Sequence, residues 1–292
     1  MAGTGVRVTC MAFSFRNLIE GMRPAAPVIP LVRLSGMIGG GSSFRSGMSL
    51  QTVEAALARA FAVKAAPAVA LLVNSPGGAA VQSHLIHKRI RALAEEKNKK
   101  VIVAVEDVAA SGGYMIAAAG DEIVVDAASI VGSIGVLSAG FGFPKLIERI
   151  GVERRVHTAG KSKAMLDPFQ PEKEEDVARL HALQEDVHVA FIDLVKSRRP
   201  GLKDDPDLFT GAFWSGVRAV DLGLADRVGD IRSLLRERYG DKVRVLPIPV
   251  GRGGWWRRRM GFGGGGGDTS LAIVDRAVAA IEERLLWSRF GL

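Results

Sequence analysis

One cysteine, Cys10, stands in 292 residues, and aromatic residues make up only 6%. A lone thiol excludes an internal disulfide framework, and with no second thiol or nearby histidine it offers no metal site, so the chain needs no oxidising compartment. No stretch reaches the roughly 18 to 20 uninterrupted apolar residues that would span a bilayer. The amino-terminal "MAGTGVRVTCMAFSFRNLIEGMRPAAPVIP" also lacks the apolar core of a secretory signal, because Arg16, Asn17 and Glu20 interrupt it. A cytoplasmic protein, at most peripheral at the inner membrane, is expected, with Met1 or Met11 as its start. Lysine and arginine (39) exceed aspartate and glutamate (31) to give a net charge of +8. No aromatic and basic recognition pattern accompanies that charge in the main body, so no nucleic-acid partner is expected.

What the chain does have is alternation. "VIPLVRLSGMI" reads as a first strand running to Ile38, "GGGSSFRSGMS" as a loop, and "LQTVEAALARAF" as a helix capped by Ser49. "AVALLVN" and "KVIVAVE" are wholly apolar strands, covered on both faces, flanking the amphipathic helix "AAVQSHLIHKRIRALAEEKNK". Strands separated by helices imply parallel pairing through crossovers. Further on, "EIVVD", "GSIGVLSAG", "ERRVHT" and "VRVLPI" read as strands and "FPKLIERI" as a helix. A long helix follows from Pro171 to Ser197, and two more lie around the glycine turn of "FWSGVRAVDLGLADRVGDIRSLLRERYG". Composition changes at Gly251. The expected organisation is an extension over 1–27, a domain over 28–250, a glycine- and arginine-rich flexible linker over 251–268, and an amphipathic helix over 269–292. In that helix Leu271, Val274, Val278, Ile281 and Leu285 form one apolar stripe that needs a partner.

Three segments carry chemistry. Ser111 sits where a strand gives way to the helix of "GGYMIAAAG", in the positive field of a helix amino terminus, with the Gly112 amide placed to meet an oxyanion. "NSPGG", Asn74 to Gly78, is a second strand-to-helix turn whose glycines can point amides outward. Taken singly, each turn reads as well as an ordinary cap or connection. Together they lie at the carboxyl ends of neighbouring parallel strands, where α/β folds put their sites. None of the five histidines adjoins an orienting carboxylate in a loop. A lysine can replace the histidine base if desolvation keeps it neutral, and "TAGKSKAMLDPF" offers Lys163 in an apolar context, with Lys161 hardly less suited.

"NSPGG", "DVAASGGYMIAAAGDEIVVDAASIVGSIGV", "GKSKAMLDPF" and "FWSGVRAVDLGLAD", in this order, resemble the serine-lysine peptidases of the signal peptide peptidase A (protease IV) and SohB family, from about Val28 to Ile248. The resemblance implies an α/β fold of Clp protease/crotonase type, a repeated β-β-α spiral. It makes Ser111 the nucleophile and Lys163, not Lys161, the general base. Gly77 or Gly78 together with Gly112 would form the oxyanion hole, and Ser133 would line the substrate cleft. Peptide substrates, no cofactor, no metal, and a homo-oligomer whose active site is shared between subunits are implied as well. Ser162 stands where the family often has an aromatic residue. Two other readings remain: an acyl-coenzyme A enzyme using Glu106, and a non-catalytic scaffold held at the membrane through Trp255, Trp256, Arg257, Arg258 and Arg259.

Overall fold

The computed structural model describes residues 26–39, 41–42, 45–251, 281 and 284–292. Trp255 to Arg259 and the first three residues of the carboxyl-terminal stripe lie outside them. Four consecutive strands build the centre: β1 (Val28–Ser35), β4 (Ala68–Ser75), β5 (Lys100–Ala110) and β6 (Glu122–Val125) pair in parallel in that order. A two-stranded ladder, β2 (Gly41–Ser42) and β3 (Arg45–Ser46), lies in the segment expected as a loop. β10 (Arg244–Ile248) and β9 (Arg227–Val228) close the two ends of the sheet.

The crossovers follow their sequence signals. α1 (Leu50–Phe61) begins at Ser49, whose side chain accepts from the Thr52 amide while Thr52 Oγ1 accepts from the Ser49 amide, a reciprocal cap. It buries Val53, Leu57 and Phe61. α2 (Ala80–Lys97) buries Ile86, Ile90 and Leu93 and ends at Asn98 in the left-handed region (φ 49°). Both cover the β4 side chains Val69, Leu71 and Val73, each fully buried.

A bend in β5 positions the functional turn. Its pairing with β4 slips by two residues: Val73 faces Val105, but Ser75 faces Ala109. Asn74 fills the gap, accepting from the Val108 amide at 3.2 Å and donating to Asp107 at 2.6 Å. The first half of β5 therefore pairs with β6, and the second half with β7 (Ile130–Gly132). β7 in turn pairs antiparallel with β8 (Phe213–Ser215). Parallel strands joined through helices, with the sheet turning at β5 onto β7 and β8, make the α/β fold expected above.

Two expected strands are absent among the described residues. "GSIGVLSAG" continues irregularly after Gly132, and "ERRVHT" forms no ladder. The reason is pairing: a strand needs a neighbour, and residues 136–172 leave the body as an arm with only one short helix, α4 (Pro144–Arg149), none of whose residues is buried. α5 (Glu174–Arg198), α6 (Gly216–Asp221) and α7 (Ile231–Tyr239) complete the body. Among the described carboxyl-terminal residues, docking is through a side chain outside the expected stripe. Ile281 and Leu285 are exposed, whereas Phe290 is buried against Val108 and Ala110, with Ile130 and Trp287 beside it.

Candidate active site

Ser111 follows directly on β5 and precedes α3 (Gly112–Ala117). Its backbone sits at φ 50°, ψ −122°, a conformation that non-glycine residues rarely adopt and that costs on the order of 1–3 kcal/mol. The turn is held from both sides. Ser111 donates its amide to Gly132 O at 2.8 Å, and its carbonyl accepts from the Met115 amide at 3.0 Å. The side chain caps nothing in its own helix, so the cap reading of Ser111 does not hold. It lines a cavity of about 570 Å³ instead, with Gly78, Gly112, Ser133 and Met115 among its neighbours.

The two glycine turns meet there. Gly77 donates its amide to Ser75 Oγ at 3.2 Å, and its carbonyl accepts from Ile38 N at 2.8 Å. Its backbone lies within about van der Waals contact of the Ser111 turn, since a Cβ at Gly77 would stand 2.9 Å from that of Ser111. Gly78 and Gly112 both line the cavity, and neither amide is engaged by another described residue. Gly78 has φ 138° and lies so close to Ile38 O that a Cβ there would overlap it. A Cβ on Gly112 would overlap Ser83 Oγ. The crowding fixes both backbones at the cavity wall.

The shell beneath α3 is satisfied. Tyr114, fully buried, donates its hydroxyl to Leu224 O at 2.9 Å, and burial pushes its pKa up, which keeps that proton in place. His87 Nδ1 donates to Met115 O at 2.9 Å. Burial, more than the nearby Arg198, His84 and Arg91 charges, lowers the His87 pKa to about 4, against the opposing pull of that hydrogen bond. The imidazole is therefore neutral and structural at neutral pH.

Ser133 lies beside Ser111, one residue past the Ala110–Gly132 pair of β5 and β7, buried, at φ 53°, its amide donating to Ala212 O at 2.6 Å. Val187 and Phe191 of α5 and Thr210 and Gly211 add walls that the sequence did not signal. Lys163 is elsewhere. It is exposed on the arm and is not among the residues lining the cavity; Lys161 beside it pairs with Glu175 at 3.5 Å. The arm holds its own shape through an Arg154–Asp167 ion pair at 2.8 Å and a chain of rings, Phe141, Phe143 and Phe169. That ion pair, with the Phe169 amide, lowers the Asp167 pKa. Glu106, the carboxylate of the acyl-coenzyme A reading, is bound by Arg33 at 2.8 Å and does not reach the cavity.

A strained serine between a strand and a helix lines a cavity that two glycines with unengaged amides also line, an arrangement compatible with a nucleophile beside an oxyanion hole. Residues 93–242, just over half of the chain, match the model of peptidase family S49. The whole chain is 52% identical, over 303 aligned positions, to 41% of a Brucella abortus protein named Na(+)/H(+) antiporter NhaA. Over 171 positions, 56% of the chain is 36% identical to 24% of the chloroplastic serine protease SPPA of Arabidopsis thaliana. A solved structure of a membrane-bound stomatin-specific protease superposes with a TM-score of 0.46 and 15% identity, covering 77% of this chain and 99% of its own. The chain belongs to peptidase family S49. It spans less than half the length of the Brucella protein that it matches throughout.

Proposed function

We propose that this chain is a serine endopeptidase that cleaves signal-peptide remnants or other short or unfolded peptides through an acyl-enzyme on Ser111. The observation that carries this reading is the strained Ser111 turn, which lines one cavity together with Gly78 and Gly112, whose amides no other described residue engages. Lys163 supplies the base, as a neutral amine. It takes the Ser111 proton as Oγ attacks the scissile carbonyl carbon, and the two amides bind the resulting oxyanion. The C–N bond breaks as that proton passes to the leaving amine. Water, giving its proton to Lys163, then hydrolyses the ester. Gly78 suits the oxyanion hole better than Gly77, whose amide is already held by Ser75. Ser133 orients the base or the substrate from its place beside Ser111.

The base comes from a second copy. Lys163 rides an arm whose Leu137, Phe141 and Ile150 are 66%, 79% and 63% exposed, an apolar surface that a homo-oligomer would cover. The same cover would desolvate the amine and favour its neutral form. We place the assembly at the inner face of the membrane, touching it through Trp255, Trp256 and Arg257 to Arg259. A relative that holds the equivalent of this chain within a longer protein named as an antiporter supports that address. Among the described residues no helix is long and apolar enough to cross a membrane.

A fluorophosphonate probe tests the assignment. Labelling at Ser111 that is lost in Lys163→Ala supports it. Equal labelling of Lys163→Ala and the unmodified chain would remove Lys163 as the base, and no labelling of either would leave the scaffold reading.

A further inference from the structure

The cavity around Ser111 is built from glycines, apolar side chains and hydroxyls, with a single exception. Arg289 is the only ionisable side chain among the described residues that line it. It arrives from a segment more than 170 residues away in sequence, on the same wall as Leu286. That wall is fixed to the catalytic turn. Phe290 is buried against Val108 and Ala110, the strand that ends at Ser111, and meets Phe213 edge-on with ring centroids 5.1 Å apart. The Arg289 guanidinium lies 5.9 Å from the centroid of that same Phe290 ring. Arg289 is itself exposed, and Met115, Val136, Phe191 and Leu286 line the cavity beside it with apolar walls.

We infer that Arg289 is a specificity-determining residue that recognises a carboxylate of the peptide substrate. This rests on the peptidase reading of the site. Carboxylates are the anions that peptides carry, and the planar guanidinium fork binds them through two parallel N–H···O bonds. The carboxylate belongs either to an acidic side chain near the scissile bond or to the carboxyl terminus of a short peptide.

Two matched series of fluorogenic peptides distinguish these sources: Glu against Gln scanned across the scissile bond, and free acid against terminal amide. One series is expected to show about five- to tenfold higher kcat/KM for the carboxylate, the scale of a charge-assisted pair at a partly wet site. The advantage should shrink with added salt. Arg289→Gln should bring the ratio to about one, and Arg289→Glu should reverse it, so that a Lys peptide outruns its Gln counterpart, a change that a merely structural role would not produce. Anisotropy of the same peptides, dye-labelled, on Ser111→Ala reads recognition without turnover. Peptides cleaved with no carboxylate preference, or with one that survives both Arg289 variants, overturn the inference and leave the peptidase. Acid-selective binding to Ser111→Ala, with no turnover by the unmodified chain, leaves the recognition and overturns the peptidase. Binding of none of the peptides overturns the inference outright.

Discussion

The turn at Ser111 and the arm at Lys163 differ in how much of their geometry one chain supplies. Around Ser111 every backbone choice is enforced by packing: β4 and β5 are buried on both faces, Asn74 fixes the slip between them, and Ile38 and Ser83 crowd the glycines. Around Lys163 the chain supplies only an internal brace, Arg154 to Asp167 and three phenylalanine rings, and leaves large apolar side chains to solvent. On the proposed reading, the nucleophile is preorganised by folding, whereas the base waits for association. An enzyme divided in this way would stay inactive as a monomer, which would protect the cell from a peptidase diluted below its assembly range.

Sharp tests of this contrast begin with the two reacting groups. Ser111→Ala and Lys163→Ala should each lower kcat/KM for a peptide by about a thousandfold or more, since the pair acts as a unit. Their double variant should lose little beyond either single one. Next in size is the oxyanion turn. Gly112→Ala should cost about a hundredfold in kcat as its Cβ pushes against Ser83. Adding Ser83→Ala should recover part of that loss; no recovery would mean that the backbone, not the crowding, was at fault.

On the arm, Phe141→Asp with Ile150→Asp should leave the fold intact by circular dichroism, because neither side chain is part of the core. The same pair should shift the mass seen by light scattering to the monomer and lower activity at least tenfold at micromolar protein, as like charges face each other across the contact. Last comes an effect on stability rather than activity, at His87. Its pKa is about 4 when folded against 6.5 for a free imidazole, so the unfolded chain binds the extra proton between those values. The stability tied to neutral His87 is complete above pH 6.5 and is lost as pH falls towards 4, by about 3 kcal/mol on the scale of 1.36 kcal/mol per unit. His87→Gln should flatten that acid limb in urea titrations, whatever it does to stability at pH 7.

The body was legible in the sequence because its signals are local. The cap of Ser49, the apolar run of Ala68 to Asn74, and the amphipathic spacing from Ala80 to Lys97 each decide their own element. Ser111 and the two glycine turns each read locally as well as an ordinary cap or connection, and only the resemblance gave them roles; the parallel order of β4 and β5 brings the turns to neighbouring strand ends as expected. What escaped was nonlocal. The extension of β5 to Ala110 depends on β7, and "ERRVHT" alternates like a strand but has no neighbour to pair with. The docking of Phe290 beside Ser111 left no trace in the helical stripe, because the face that docks holds Leu286, Trp287 and Phe290 rather than Ile281 and Leu285.

The central claim, that the serine of one copy is served by the lysine of another, is tested most directly by mixing. Ser111→Ala and Lys163→Ala, each inactive alone, would be unfolded or dissociated together, allowed to reassemble, and assayed on a fluorogenic peptide. Division between copies predicts that mixed assemblies regain activity, to a level that rises and falls with the mixing ratio. Mixed assemblies verified by mass that stay as inactive as their parents would contradict it.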